Sequence, residues 1–243
     1  MILKVKSLHK HFGGIKAIDG CSIEIEKNKI TAIIGPNGSG KSTLFNVIHK
    51  LYKGNSGSVH FKKQNITKLP DYKIARLGLA RTFQEVRLFK HLTIADHLAI
   101  SLCKDDESFI NSLTGKEEET KKRAKEILDL VGLDKRLSTL ATDLSYGQRK
   151  LLDLAVALAK PHELLMLDEP VAGVNPKLRN KIKSILKNLN KKGETIVVIE
   201  HDMTFVMDLA DHIIVLDEGK VLKEGKPKII QKSKKVLEAY LGD

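Results

Sequence analysis

The chain has no tryptophan, two cysteines (Cys21 and Cys103) and only 5% aromatic residues in a length of 243. Two cysteines build neither a disulfide framework nor a thiolate metal cluster, so an ordinary apolar core must hold the fold. No apolar run approaches the ~18 residues that a membrane-spanning helix needs. The opening MILKVKSLHKHF alternates apolar and polar residues and lacks the unbroken apolar block of a signal peptide. A cytosolic chain is therefore expected. Acid is also short, with 30 Asp and Glu against 42 Lys and Arg, a formal charge of +12. The scarce aromatics do not interleave with the basic residues, which counts against a nucleic-acid surface. Seven lysines and one acid, Glu224, lie between Lys220 and Lys235. They read first as a solvated face that aids solubility, and second as attraction to an anionic membrane.

What is present is ordinary for a globular protein: 42% hydrophobic and 30% charged residues, enough chain for one large domain or two small ones. ILKVKSL and CSIEIEK alternate as strands, and KITAIIG reads as a buried strand running into a glycine loop. A helix is expected from Lys41 to about His49, and a strand and turn over GSVHFKKQNI. LARTFQ reads as a strand ending at Gln84. From about Thr93 to Leu133 the pattern is helical, although CKDDESFINSLTGK fits no element clearly. After a helix over QRKLLDLAVALA come the apolar strand ELLMLDEP and a helix from Pro176 to about Lys192. ETIVVIEHD is a second buried strand with a polar exit, a short helix follows, and HIIVLDEGKVLKEG is a hairpin turning near Glu218-Gly219. One final helix is expected from Ile229 to Leu241. This order predicts an α/β core with a mainly parallel sheet, an antiparallel N-terminal β subdomain, and a helical insertion over about 86–160 within one domain, 1–243.

The chemistry starts at Gly35–Ser42, GPNGSGKS, which fits G-x-x-x-x-G-K-[ST] between a strand and a helix. The glycines let backbone N–H groups turn inward around phosphate oxygens. Lys41 supplies a charge to the β and γ phosphates, and the Ser42 hydroxyl can bind Mg²⁺. LLMLDEP puts Asp168 and Glu169 together at a strand exit, where one can hold Mg²⁺ and the other can orient and deprotonate a water. Gln84 can reach the metal or the water, though a lone glutamine is as readily a surface residue. His201 leaves a buried strand much as Asp168 does and can bond a γ-phosphate, or be a local cap. Phe12 can stack on a base or sit in the core. His9 and His11 share a strand face with no third ligand placed nearby, and read as surface histidines. A second anion site lies at LSYGQ, where Asp143 and Ser145 are capping types ahead of a helix start.

Taken in order, GPNGSGKST, Gln84, LSYGQ, LLMLDEP and His201 resemble the ATP-binding subunits of ABC transporters over essentially the whole chain. RTFQEVRLFKHLTIADHL, the Tyr146 form of the signature, AGVNP and the closing EAYLGD are most similar to the ATPases of branched-chain amino-acid importers. The resemblance implies a P-loop NTPase using ATP and Mg²⁺. Phe12 would stack on adenine, and Gly35, Asn37, Gly38, Ser39, Gly40, Lys41, Ser42 and Thr43 would hold phosphates. Ser42, Gln84 and Asp168 would form the metal shell, with Glu169 as general base and His201 as γ-phosphate switch. Ser145, Gly147 and Gln148 would bind the nucleotide of a second ATPase subunit, the same or a similar chain, in a head-to-tail dimer. Tyr146 replaces the commoner glycine, so its ring must point away from the phosphate. Asn175 stands where the family commonly has Asp, and Val156 where many relatives carry Arg.

The implied partners are separate transmembrane permease subunits and, indirectly, a substrate-binding protein, with the chain peripheral at the cytoplasmic face of the membrane. Competing readings are an exporter of lipid or lipopolysaccharide, or an ABC-type ATPase acting on nucleic acid or the ribosome. A single-site small-molecule kinase would need no LSYGQ.

Overall fold

The computed structural model describes residues 1–102 and 117–241. The unassigned CKDDESFINSLTGK stretch, 103–116, thus lies wholly outside the described residues, Cys103 included. Cys21 is a buried free thiol.

Four strands form an antiparallel sheet in the order β2-β1-β4-β5: β1 Leu3–Phe12, β2 Ile15–Ile25, β4 Ser56–Phe61 and β5 Gln64–Asn65. The second sheet has six strands in the order β10-β9-β3-β8-β7-β6. Its members are β3 Ile30–Ile34, β6 Leu79–Arg81, β7 Leu164–Asp168, β8 Ile196–Ile199, β9 His212–Asp217 and β10 Lys220–Gly225. Neighbours pair in parallel from β9 to β6, and β10 closes the edge antiparallel to β9. The β9–β10 turn places both Glu218 (φ 44°) and Gly219 (φ 75°) in the left-handed region, as a two-residue hairpin requires.

The apolar runs of β7 and β8 follow from burial on both faces. Leu165, Leu167, Ile196 and Val198 face one core, shared with helices α5 Tyr146–Ala159 and α6 Pro176–Lys191. Leu164, Met166, Val197 and Ile199 face the other, shared with α1 Lys41–Ile48 and the antiparallel sheet. Period two therefore survives inside sequences that show no polar alternation. Helix α6 starts with Pro176 after the Asn175 cap, whose Oδ1 accepts from Leu178 N at 2.9 Å. It buries Ile182, Ile185, Leu186 and Leu189, spaced for one helical face. The helical stretch comprises α3 Ile94–Leu102, α4 Glu117–Val131, a 3₁₀ turn at Ala141–Asp143, and α5.

Three details differ from the sequence expectation. The strand ahead of Gln84 ends at Arg81: Thr82 N still bonds Met166 O at 3.0 Å, but the chain then leaves the sheet. A short helix that the pattern did not suggest, α2, runs Asp71–Arg76. The expected C-terminal helix is two, α8 Pro227–Gln231 and α9 Lys234–Leu241, with α7 Met203–Leu209 packed before them. The break falls at buried Ser233, a residue type that favours helix starts, and its carbonyl accepts from Val236 N and Leu237 N.

Leu186 is fully buried between α6 and the sheet. Leu186→Ala should cost about 2–5 kcal/mol, whereas Ile100→Ala, at a position 50% exposed, should stay within about 0.5 kcal/mol. Denaturant midpoints at constant slope check the pair.

Candidate active site

The phosphate loop joins β3 to α1 along the carboxyl end of the parallel sheet. Gly40 caps α1 with φ 98°, and a Cβ there would lie 2.3 Å from the Ala17 carbonyl oxygen. No other residue fits that close approach of loop and β2. Asn37 and Gly38 are exposed at the loop tip, Ser39 is buried, and Ser42 and Thr43 are half-buried in the first helical turn. Lys41 is buried, and its Nζ donates to Gly35 O and Pro36 O, each at 2.8 Å, and to Ser39 Oγ at 3.3 Å. Burial lowers its pKa, against the raising effect of the Glu169 and Asp168 charges. Those two charges thus act on the ammonium across the loop.

β7 delivers the carboxylates. Asp168 is buried; its Oδ2 accepts from Arg81 Nη2 at 2.8 Å, while Oδ1 is buried without a hydrogen-bond partner. Burial pushes this carboxyl above its ordinary pKa, with Arg81 pulling it back. A buried carboxylate oxygen without a hydrogen-bond partner suits a hard divalent cation such as Mg²⁺. Glu169 follows with φ 48°, a left-handed conformation that costs energy for a non-glycine residue. Its N–H donates to Ile199 O at 3.0 Å. The turned backbone sends its carboxylate to Gln84 Nε2, 3.0 Å from Oε2, and toward His201 Nδ1, 3.9 Å from Oε1.

Gln84, Glu169 and His201, far apart in sequence, therefore meet beside Asp168. Gln84 is exposed yet hydrogen-bonded to Glu169, and His201 is not a cap, since Asp202 Oδ1 takes the α7 capping bond from Phe205 N at 2.9 Å. Phe12 is not core: it is 41% exposed at the end of β1, edge-on to Tyr52 at 5.2 Å, with Lys10 Nζ 4.5 Å over its ring.

Three supporting residues escaped the sequence reading. Lys150, buried on α5, donates to Gln84 O at 2.9 Å and Glu169 O at 3.1 Å. Glu200, fully buried, accepts from Val171 N at 3.0 Å and His201 N at 3.3 Å. Arg81 holds Asp168. The available signal was a charge inside each apolar run, in LLMLDEP's neighbour VVIEHD, in QRKLLDL and in LARTF.

The LSYGQ segment stands apart. Ser145 caps α5, with its Oγ accepting from Gln148 N at 3.3 Å and Gln148 Oε1 accepting from Ser145 N at 2.9 Å, a capping box. Ser145 is exposed, and among the described residues no hydrogen bond joins Ser145, Gly147 or Gln148 to the phosphate loop. Gly147 has a packing reason as well, because a Cβ would meet Leu178 Cδ2 at 2.5 Å. The Tyr146 ring leans over the Ala172–Gly173 turn, its hydroxyl 3.4 Å from Ala172 O, clear of the helix start.

His9 and His11 do have a third neighbour, contrary to the sequence expectation: β2 brings Asp19 alongside, and the three ligand atoms lie within 4.8 Å of one another. The carboxylate is already answered by Lys220 at 3.2 Å, with His9 at 3.3 Å and Lys16 at 3.9 Å, and two ammonium groups oppose a cation there. These contacts, Lys220 first, lower the Asp19 pKa.

Next to Phe83, a groove of about 390 Å³ opens between β6, α2, α3 and α5, lined by Tyr72, Arg81, Phe83, Arg87, Asp153 and Val156 among others. Burial pushes Asp153 up to about 7, with Lys150 pulling it down. The folded chain therefore holds a proton that the unfolded chain releases near pH 4, and stability falls as pH rises through that window. Asp153→Asn should match the wild type below about pH 4 and become increasingly more stable than it up to about pH 8. Thermal unfolding across that range measures the difference.

The ABC transporter family model matches residues 18–172. A probable branched-chain amino acid transport ATP-binding protein, LivG of Archaeoglobus fulgidus, is 40% identical over 99% of this chain and 95% of its own. The high-affinity branched-chain amino acid transport ATP-binding protein BraF of Pseudomonas aeruginosa is 36% identical over 100% and 98%. Among solved structures, the ADP conformation of MJ1267, an ATP-binding cassette of an ABC transporter, superposes with a TM-score of 0.87 at 36% identity, covering 100% of this chain and 99% of that one. The dimeric post-hydrolysis cassette MJ0796, bound to ADP and Pi, gives 0.81 at 30% identity over 93% and 99%. With the family model matched over residues 18–172 and relatives 36–40% identical along nearly all of the chain, the chain belongs to the ABC transporter family of ATP-binding proteins.

Proposed function

We propose that this chain is the ATP-hydrolysing subunit of an ABC importer that takes up branched-chain or related amino acids through separate permease subunits. The observation that carries the hydrolytic reading is the meeting of Gln84, Glu169 and His201 beside the unpartnered Oδ1 of Asp168. The transport reading rests on the full-length relatives named for branched-chain amino acid transport. Residues 1–243 act as one ATP-binding unit, with about 86–160 as its helical insertion.

ATP enters with its adenine against Phe12 and its phosphates in the loop formed by Gly35, Asn37, Gly38, Ser39, Gly40, Lys41, Ser42 and Thr43. Lys41 exchanges its loop carbonyls for β- and γ-phosphate oxygens, and the buried ammonium is stronger there than in water. Mg²⁺, when bound, neutralises charge on the phosphates, and Ser42, Gln84 and Asp168 are the residues that would hold it. Gln84 and Glu169, already hydrogen-bonded, position the attacking water, and a Glu169 oxygen takes its proton. His201 donates to the γ-phosphate. Ser145, Gly147 and Gln148, turned away from their own site, serve the nucleotide held by a second ATPase subunit in a head-to-tail dimer. Loss of the shared phosphate lets the pair open. The groove next to Phe83 receives a cytoplasmic segment of the permease, which keeps the chain peripheral at the cytoplasmic membrane face. A substrate-binding protein then meets only the permease.

Glu169→Gln should retain ATP binding, lose about 10²–10⁴-fold in turnover, and elute as a dimer in the presence of ATP. Turnover at the wild-type rate would sink the assignment of the base. The transport reading is tested by tagging the chain in its own cell, solubilising membranes in mild detergent and identifying what co-purifies. Two hydrophobic permease chains are expected, with or without a second ATPase. Ribosomal proteins or nucleic acid, with nothing from the membrane, would overturn it.

A further inference from the structure

Asp168 ends β7, and strand alternation sets the face its side chain leaves from but not the rotation of its carboxylate. Arg81 sets that rotation. Its Nη2 donates to Asp168 Oδ2 at 2.8 Å, its Nη1 to Asn46 Oδ1 at 2.8 Å, and its Nε to the Thr82 carbonyl at 3.2 Å. The guanidinium carbon lies 5.5 Å over the Phe45 ring and 5.0 Å over the Phe83 ring, and Arg87 covers Phe83 in turn at 4.0 Å. The Arg81 and Asp168 side chains are only 4% and 3% exposed. A planar fork fixed at all three of its nitrogens cannot follow the carboxylate if it rotates; the carboxylate must instead conform to the fork. The outcome is that Oδ2 is consumed and Oδ1 is left as the buried oxygen without a partner.

We infer that Arg81 is a positioning residue, which locks Asp168 in the one orientation that presents Oδ1 to the metal. The inference rests on the metal role of Asp168 proposed above. It assigns work to a side chain that does not itself touch nucleotide, and it explains a charge inside the strand that leads to Gln84. Partners that orient a metal ligand typically change metal affinity by about 10–100-fold when removed.

The test uses full-length chains carrying Glu169→Gln, so that turnover does not intervene, and reads the affinity of a fluorescent ATP analogue with Mg²⁺ and with EDTA. The quantity of interest is the gain in affinity that Mg²⁺ confers. Arg81→Met should bind the analogue in EDTA within about threefold of its parent and lose about tenfold or more of the Mg²⁺-dependent gain. Arg81→Lys keeps the charge without the fork and should recover only part of it. An undiminished gain in Arg81→Met, or complete recovery in Arg81→Lys, would overturn the positioning role. Asp168→Asn separates the two layers. If it keeps the full gain, the metal role of Asp168 fails and the inference with it. If it loses the gain while Arg81→Met keeps it, only the inference on Arg81 falls. Should Arg81→Met not fold, Asn46→Ala decides: it frees one arm of the fork, and a gain reduced at least twofold upholds the inference whereas an unchanged one removes it.

Discussion

The site exists because four strands of one parallel sheet stop at the same edge. β3, β7 and β8 are buried along their whole lengths, so polar chain can emerge only where they end. β3 releases the Gly35 loop there, β7 releases Asp168 and Glu169, β8 releases Glu200 and His201, and β6 releases the segment to Gln84. A parallel register makes every one of these exits point the same way. Residues separated by more than a hundred positions are thus delivered to one rim without any local sequence preference for meeting.

Delivery alone would leave the exits loose. Three buried charges tie them in pairs: Arg81 joins the end of β6 to the end of β7, Lys150 joins the Gln84 and Glu169 carbonyls to α5, and Glu200 holds Val171 N and His201 N together. Taking charges out of water is costly, and such groups stabilise a fold little on balance. Their effect is on uniqueness, because breaking one leaves its partners buried and unsatisfied. Burial accordingly raises the pKa of Asp168 and Glu200 and lowers that of Lys150.

This division explains what could be read from the chain. The phosphate loop, the Asp168-Glu169 pair and the Ser145 cap are contiguous patterns whose geometry is nearly local, and each lies where its motif implied. The two sheets were legible because the alternation of β1 and β2 and the apolar runs of β3, β7 and β8 follow from which faces are covered. Arg81, Lys150 and Glu200 were not, since their partners lie up to 87 residues away and a charge in an apolar run says nothing about whom it meets. Asp19 beside His9 was hidden for the same reason, as it arrives on the facing strand. The end of β6 at Arg81 rather than Gln84 belongs here too: Thr82–Gln84 has strand composition, and tertiary bonds to Asp168 and Glu169 override it.

The LSYGQ helix, proposed above to serve a second subunit's nucleotide, starts away from the chain's own phosphate loop. Its start is shaped by the capping box of Ser145 and Gln148 and by Gly147, whose missing side chain admits Leu178. First-turn N–H groups have no backbone acceptor within their own helix; Gln148 N is taken by Ser145 Oγ, and those ahead of it suit an external anion. Five residues on, roughly 7.5 Å along the axis, Lys150 is anchored to the backbone of the chain's own Gln84 and Glu169. A helix is stiff over that distance. Any tilt that adjusts Ser145 to an anion on one side must therefore load the two carbonyls that set the glutamine and the glutamate on the other. In the head-to-tail pair proposed above, that would place the anion of one site and the residues proposed to position water in the other at the two ends of one rigid turn and a half of helix.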